Sequence, residues 1–241
     1  MKAGKVHSIW IVLMSFWYMA NTCGRAILKS WFGTINRQWC SEELQRWASR
    51  MLHLLRIRCK VVNPHRVKPE KGVATILMCN HSSLFDIPLS LQAFPTSPIR
   101  MLAKKELSNI PIMGGGMVAA EFPFIDRKNR RQAIADLAHV KQLLESGIVM
   151  WIAPEGTRSP TGELAPFKKG GFITAIKTGA TIIPIGIRGA NQILPARSRQ
   201  FRLNHYAEIH IGKPIDASRF NMDNKEQLME KVFQEIQQLI M

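Results

Sequence analysis

Four short apolar runs, rich in residues that favour β-structure, are each bounded by turn or helix-breaking residues. These predicted strands are residues 74–79, 148–153, 181–187 and 207–211. Segments 130–145 and 224–240 place apolar residues at helical spacing. Because strands that alternate with helices pack into a sheet covered on both faces, this order predicts an α/β fold, with a mixed central sheet flanked by helices.

A polar stretch at 63–72, which contains Pro64 and Pro69, is the predicted internal boundary. It divides the chain into an N-terminal helical region, residues 1–62, and a single α/β domain, residues 63–241. The total length of 241 residues is enough for one substantial core with a modest appendage.

The N-terminal region begins with an order of residues that is also found in signal peptides. Lys2 and Lys5 precede an apolar, aromatic run at 9–20. Basic and aromatic residues then continue to Arg37, with no cleavage site of small residues, and the run is shorter than the roughly 20 residues that span a bilayer. These features favour an anchor that lies in the membrane interface or is half inserted, and an ordinary buried helix is the alternative.

The charge of the chain restricts its partners without identifying one. Lysine and arginine outnumber aspartate and glutamate by 33 to 17, a net charge of +16, which favours anionic lipid surfaces, nucleic acids or acidic carrier proteins. The basic residues are scattered, with no RNP-like aromatic strand and no zinc motif, so nucleic acid is not a predicted partner. The four cysteines form no C-x-x-C pair, and no metal site is predicted.

The segment from Asn80 to Asp86 is the most informative, because it joins a predicted buried strand to a predicted helix. On a continuous helix His81 and Asp86 would point about 140° apart, so they can meet only if the segment bends. Pro88 is tolerated only in the first turn of a helix, which predicts that the helix begins near Asp86. His81 is then a candidate general base, oriented by a hydrogen bond from one ring nitrogen to Asp86. Alternatively, Asp86 simply caps the helix.

Two further segments bring opposite charges to the ends of apolar stretches. Residues 151–158 end with Glu155 and Arg158, and residues 122–127 end with an Asp-Arg pair. The planar guanidinium of arginine suits phosphate oxygens, although either segment alone would usually form a surface salt bridge.

Together, in this order, the segments resemble the glycerophospholipid acyltransferase family, most closely the 1-acylglycerol-3-phosphate O-acyltransferases. The family's Asn-His-x-x-x-x-Asp motif matches 80–86, its apolar run closing in Asp-Arg matches 122–127, and its Pro-Glu-Gly-Thr-Arg motif matches 154–158. A fourth motif, an apolar strand with a central proline, is similar to 182–185. Ala153 departs from the pattern, since many members carry an aromatic residue before Pro-Glu-Gly.

The resemblance implies transfer of a fatty acyl group from a thioester to the free sn-2 hydroxyl of 1-acylglycerol 3-phosphate, giving phosphatidic acid. Glycerol 3-phosphate or another lyso-lipid is the alternative acceptor. His81 and Asp86 are the implied catalytic residues. The implied substrate-binding residues are Arg127, Glu155, Gly156, Thr157, Arg158 and Lys105, although Lys104 and Lys105 could equally be solvated surface charges.

The same resemblance implies no bound cofactor, with acyl-coenzyme A or acyl-acyl carrier protein as co-substrate. General-base assistance by His81 typically contributes about 10² to 10⁴-fold to such a reaction. The turn at Gly156 is one conceivable source of backbone amides for the oxyanion. We expect the protein to associate with the phospholipid surface on the cytoplasmic face of the inner membrane, and a noncatalytic lipid-binding scaffold is the alternative from another functional class.

A glycine run at 114–119 fits the G-x-G-x-x-A pattern of dinucleotide-binding sites. The residues before it form a poor strand, and no acidic residue stands convincingly at the expected distance. We therefore predict a flexible turn at this position.

Overall fold

The computed structural model describes residues 1–126 and 130–241 and has an α/β architecture. Its helices are α1 (Lys5–Trp31), α2 (Arg37–Leu54), α3 (Asp86–Ala93), α4 (Met113–Ala119), α5 (Arg130–Glu145), α6 (Lys169–Thr178), α7 (Ala190–Ile193) and α8 (Lys225–Ile240). Its strands are β1 (Arg58–Val62), β2 (Thr75–Cys79), β3 (Ile99–Met101), β4 (Ala103–Lys104), β5 (Phe124–Ile125), β6 (Val149–Ile152), β7 (Thr181–Arg188), β8 (Tyr206–Ile211) and β9 (Ile215–Asp216).

The main sheet is mixed, as predicted. Its strands lie in the order β1-β8-β7-β2-β6-β3, and β9 pairs with β7. The β7–β8 and β7–β9 pairs are antiparallel and the other neighbours are parallel. The four predicted strands are confirmed as β2, β6, β7 and β8, and the two predicted helices as α5 and α8.

Strand β2 lies in the middle of the sheet, and all of its residues are buried. Leu77 and Cys79 face one apolar cluster, whereas Ile76 and Met78 face a second cluster on the other side. Burial on both faces explains why β2 reads as a continuous apolar run. The parallel pairing of β2 with β6 brings the carboxyl ends of both strands to the same edge of the sheet. The two motifs that follow these strands therefore emerge side by side.

The N-terminal region contributes helices α1 and α2, which pack against each other; α1 also packs against α4, and α2 against α3. None of the described helices has the length and hydropathy needed to cross a bilayer. Strand β1 belongs to segment 1–62 but pairs with β8, so the helical part of that segment ends at Leu54. Its charged and partly exposed residues explain why no apolar run marked it in the sequence.

The glycine run is a helix, and the prediction of a flexible turn is wrong. Gly114 and Gly116 lie buried in α4, which packs closely on α1. A Cβ atom at Gly116 would collide with Cys23, and one at Gly114 would collide with the backbone of Ser108. Glycine is therefore required here for close packing between helices, and this tertiary contact outweighs its low helix propensity.

Candidate active site

His81 and Asp86 form a hydrogen-bonded pair at the carboxyl edge of the sheet. The His81 Nδ1 atom lies 2.8 Å from Oδ2 of Asp86. The same oxygen accepts the backbone N–H groups of Ser82 at 2.7 Å and Ser83 at 2.8 Å. Because Oδ2 accepts hydrogen bonds from two backbone N–H groups, it is an acceptor and not a donor toward His81. The hydrogen of the bond to His81 therefore lies on Nδ1. The lone pair of the imidazole is then on Nε2, which is the arrangement that a general base requires.

The two serines beside His81 have structural roles. Their backbone N–H groups close the turn onto Asp86, and the hydroxyl of Ser83 donates to the carbonyl of Leu194 at 2.9 Å. The turn delivers Asp86 to the first residue of α3, with Pro88 in the first helical turn as predicted. The chain therefore bends between His81 and Asp86, and this bend allows the two side chains to meet.

The loop that carries His81 is tied to strands on both sides. The side-chain amide of Asn80 donates to the carbonyl of Ile187 at 3.0 Å and accepts the N–H of Ile187 at 2.7 Å. The carbonyl of His81 accepts the N–H of Ser159 at 2.7 Å, and its N–H donates to Glu155 at 2.6 Å. Hydrogen bonds from both peptide groups that flank the His81 Cα atom hold its backbone in place.

Glu155 is buried, and each of its carboxylate oxygens accepts a backbone N–H. One bond comes from His81 and the other, of 2.9 Å, from Ala165. The contacts seen for Glu155 thus anchor the loop that carries His81, whereas the resemblance implied a direct contact with substrate. Burial raises the pKa of Glu155, and the two backbone hydrogen bonds oppose this shift.

The raised pKa of Glu155 gives a prediction for the pH dependence of stability. As pH rises from the ordinary value of 4.5, the unfolded chain loses this proton before the folded protein does, so the free energy of unfolding falls through that window. In urea titrations over a pH series, Glu155→Gln should lack this component of the fall. Glu163→Gln, at an exposed carboxylate, should retain it. Equal pH profiles for the two variants would contradict the assignment.

His81 borders a large apolar cavity of about 850 Å³. This volume lies within the range typical of small-molecule sites, roughly 300 to 1,000 Å³. The cavity lies against α1, α2 and α4, and its apolar lining includes Val12, Phe16, Met19, Leu44, Trp47, Met51, Met113, Met117 and Trp151. The site thus places an imidazole at the wall of a space suited to a long apolar group.

Among the residues that the structure describes, two cationic side chains line the same cavity, Arg158 and Lys104. Lys105, implied by the resemblance, has a side chain that is 51% exposed, with its Nζ atom 4.0 Å from Oδ2 of Asp126. Strand β4 ends at Lys104, which pairs with Ile125 of β5. This ladder brings segment 122–125 beside the cavity and makes Lys104 a candidate binding residue, whereas the sequence suggested only a surface charge at this position.

The remaining predicted residues differ in their surroundings. Arg127 lies outside the described residues. Gly156 lines the cavity with a left-handed φ of 74°, and its N–H donates to the carbonyl of Ala153 at 3.0 Å. This N–H therefore closes the turn. Thr157 is exposed.

Comparison with solved structures shows a close match over almost the whole chain. The structure of the 1-acyl-sn-glycerophosphate acyltransferase PlsC from Thermotoga maritima superposes with a TM-score of 0.79, over 97% of this chain and 92% of that chain. The sequence identity is 24%, so this likeness shows a shared fold.

Two curated relatives are similar in sequence. The chloroplastic 1-acyl-sn-glycerol-3-phosphate acyltransferase LPAT1 of Arabidopsis thaliana is 33% identical over 152 residues, which is 63% of this chain and 42% of that protein. A probable 1-acyl-sn-glycerol-3-phosphate acyltransferase of Mycoplasma pneumoniae is 27% identical over 207 residues, covering 82% of this chain and 76% of the relative. The chain thus spans less than half the length of the plant relative.

The family comparison covers the part of the chain that carries the sequence motifs. Residues 58–188 match the family described as Acyltransferase, from β1 to the end of β7. This range includes the His81 loop, the 122–127 segment and the turn at 154–158, and it makes up more than half of the chain. On this match the chain belongs to the Acyltransferase family.

Proposed function

We propose that the protein transfers a fatty acyl group from an acyl thioester to the sn-2 hydroxyl of 1-acylglycerol 3-phosphate, giving phosphatidic acid. The observation that carries the proposal is the His81–Asp86 pair at the wall of a large apolar cavity that Arg158 also lines. A phosphorylated lyso-lipid needs an apolar site for its acyl chain, a cation for its phosphate and a base to deprotonate its hydroxyl, and the cavity offers all three. The names of the relatives agree with this reaction.

In the proposed mechanism, Nε2 of His81 takes the proton of the acceptor hydroxyl while the oxygen of that hydroxyl attacks the thioester carbonyl carbon. The tetrahedral intermediate collapses as the carbon–sulfur bond breaks, and the imidazolium gives the proton to the leaving thiolate. Asp86 stabilises the imidazolium that exists between these two steps. The nucleophile belongs to the acceptor, so no acyl-enzyme forms.

Substrate binding divides between the apolar and cationic parts of the cavity. The apolar lining accommodates the fatty chain, because burying each methylene is worth about 0.8 kcal/mol. Arg158 binds the acceptor phosphate through its planar fork, and Lys104 adds a point charge. We retain Arg127 as a further phosphate ligand, on the basis of the family motif. The donor is acyl-coenzyme A or acyl-acyl carrier protein, both anionic carriers that the net charge of +16 favours.

The direct test is release of free thiol from an acyl thioester, with and without lysophosphatidic acid, with the product lipid identified by mass. We expect release that depends on the acceptor, together with phosphatidic acid. Release without acceptor would indicate a thioesterase instead. Activity with glycerol 3-phosphate alone would move the acceptor assignment to that compound, and inactivity with every acceptor would favour a lipid-binding scaffold.

Arg158→Ala should raise the KM for lysophosphatidic acid about 10- to 100-fold, because a charge-assisted hydrogen bond contributes roughly 1.5–3 kcal/mol. Initial rates at varied acceptor concentration measure this change. Arg199→Ala, at an exposed arginine, is the control and should leave the KM unchanged. With a monoacylglycerol, which has no phosphate, Arg158→Ala and wild type should react equally slowly. A KM increase of the same size for both acceptors would exclude phosphate recognition by Arg158.

We also propose that α1 attaches the protein to the cytoplasmic face of a phospholipid membrane, lying in the interface. Helix α1 has one face of exposed apolar side chains at helical spacing, whereas Ile11 and Ala26 on the other face are buried. The large apolar residues of α1 that are at least 62% exposed are Val6, Ile9, Leu13, Phe16, Trp17 and Trp31. An amphipathic helix with aromatic and basic residues is suited to the headgroup region.

The double variant Leu13→Glu/Trp17→Glu should bind vesicles of anionic phospholipid about 100-fold more weakly, since each large apolar side chain contributes roughly 1.5–3 kcal/mol when buried. Co-sedimentation with the vesicles measures the partition. Tyr206→Glu/Met222→Glu makes the same change of charge at exposed apolar residues outside α1 and should bind like wild type. Equal loss in both double variants would show that charge, and not the α1 face, determines binding.

A further inference from the structure

The ring of His81 has a second neighbour besides Asp86. The indole of Trp151, from β6, lies against it with ring centroids 5.8 Å apart and an angle of 82° between the ring planes. Trp151 is buried but also lines the cavity, so it stands between the protein core and the space where the reaction would occur. We infer that Trp151, fixed by Ser90, is a positioning residue for His81; this inference rests on the proposed function.

Ser90 links Trp151 to the helical turn that carries Asp86. The indole N–H of Trp151 donates to the Ser90 hydroxyl at 2.8 Å, and this hydroxyl donates to the backbone carbonyl of Asp86 at 2.7 Å. Ser90 is fully buried. The contacts close a ring of four residues, from His81 to Asp86, Ser90 and Trp151 and back to His81. One turn of α3 thus holds the imidazole from two directions.

A second contact is needed because the Nδ1 hydrogen bond fixes only one point of the imidazole. The ring can still tilt about that bond, and tilting moves Nε2 relative to the acceptor hydroxyl. The wall formed by Trp151 limits this tilt. A misplacement of about 1 Å at a reacting group can cost on the order of 10²-fold in rate, so a contact of this kind affects kcat.

The indole N–H group of Trp151 supports a positioning role over simple filling of the core. A leucine or phenylalanine would fill buried space without needing a hydrogen-bond acceptor, whereas a buried indole N–H needs one. The bond to Ser90 fixes the rotation of the indole and hence the surface that it presents to His81. The T-shaped contact itself is worth roughly 0.5–1.5 kcal/mol, enough to favour one ring orientation.

Kinetics of three variants test the inference. Trp151→Leu should lower kcat by about 30- to 100-fold, and Ser90→Ala and Trp151→Phe by about 5- to 10-fold, with the KM for lysophosphatidic acid within about twofold. Ser41→Ala is the matched control. Ser41 is likewise a buried helical serine whose hydroxyl donates to the carbonyl four residues earlier and receives a side-chain donor, from Arg100. Its kcat should stay at the wild-type value.

Thermal unfolding of each variant separates loss of fold from loss of position. An unchanged kcat in folded Trp151→Leu would overturn the inference, as would equal losses of kcat in Ser90→Ala and Ser41→Ala. If Ser90→Ala does not fold, the comparison of Trp151→Phe with Trp151→Leu decides, because the phenylalanine should recover most of the activity that leucine loses.

Fluorescence tests the contact without any turnover. A protonated imidazole quenches a neighbouring indole, so the emission of Trp151 should fall as His81 is protonated. His7 and Trp10 have the same ring separation of 5.8 Å, so Trp10→Phe is the background. The fall should disappear when Trp151→Phe or His81→Asn is added. A fall that persists in both would overturn the contact, and this result stays interpretable even if the protein transfers no acyl group.

Discussion

His81→Ala should lower kcat for acyl transfer by about 10²- to 10⁴-fold, the typical contribution of a positioned general base. The physical reason is that the acceptor hydroxyl would have to lose its proton to water during attack on the thioester. Thiol release in the presence of saturating lysophosphatidic acid measures the change. The KM for the acceptor should change little, because its binding is assigned to Arg158 and Lys104.

The chain offers a matched control for His81. The Nε2 atom of His210 lies 2.8 Å from Glu208, and its side chain is 16% exposed, the same fraction as that of His81. His210 is on β8 and is not among the residues that line the cavity. His210→Ala should therefore keep wild-type kcat. Activity retained in His81→Ala, or lost equally in both variants, would remove His81 from the mechanism.

Asp86→Asn should lower kcat by about 10²- to 10³-fold while leaving the fold intact. The amide oxygen of asparagine can still accept the N–H groups of Ser82 and Ser83, so the turn is retained. The negative charge that stabilises the imidazolium is lost, and charge-assisted hydrogen bonds are roughly twice as strong as neutral ones. Steady-state kinetics and urea unfolding on the same preparation separate these two consequences.

Two comparisons make the Asp86 prediction specific. Glu208→Gln removes the charge from the other histidine–carboxylate pair and should not change kcat. The double variant His81→Ala/Asp86→Asn should be no slower than His81→Ala alone, because the two residues act as a unit. Multiplying losses in the double variant would show that Asp86 acts independently of His81.

Much of the architecture follows from patterns that are local in the sequence. The buried strands β2, β6, β7 and β8 are marked by apolar runs, and α5 and α8 by helical spacing. The bend between His81 and Asp86 was predicted from Pro88 and is present. In each case the feature depends on residues within one short segment.

The features that escaped prediction depend on contacts between distant segments. The α4 helix needs glycine because α1 packs on it, and a glycine run by itself indicates a turn. Lys104 rather than Lys105 lines the cavity because β4 pairs with β5, a ladder of only two residues that is too short to read from sequence. Trp151 and Ser90 are 61 positions apart, and only the fold brings them together.

The two hydrogen bonds between the Asn80 side chain and the Ile187 backbone have a consequence for the order in which the site forms during synthesis. These residues are 107 positions apart. The side-chain amide of Asn80 pairs with the backbone of Ile187 as a neighbouring strand would. A nascent chain that has not yet produced β7 cannot hold the loop that presents His81. Contacts of high sequence separation form late, because the entropy of loop closure must be overcome first. The loop that carries His81 therefore reaches its final position only after β7 has been synthesised, and a chain that terminates before β7 lacks this support.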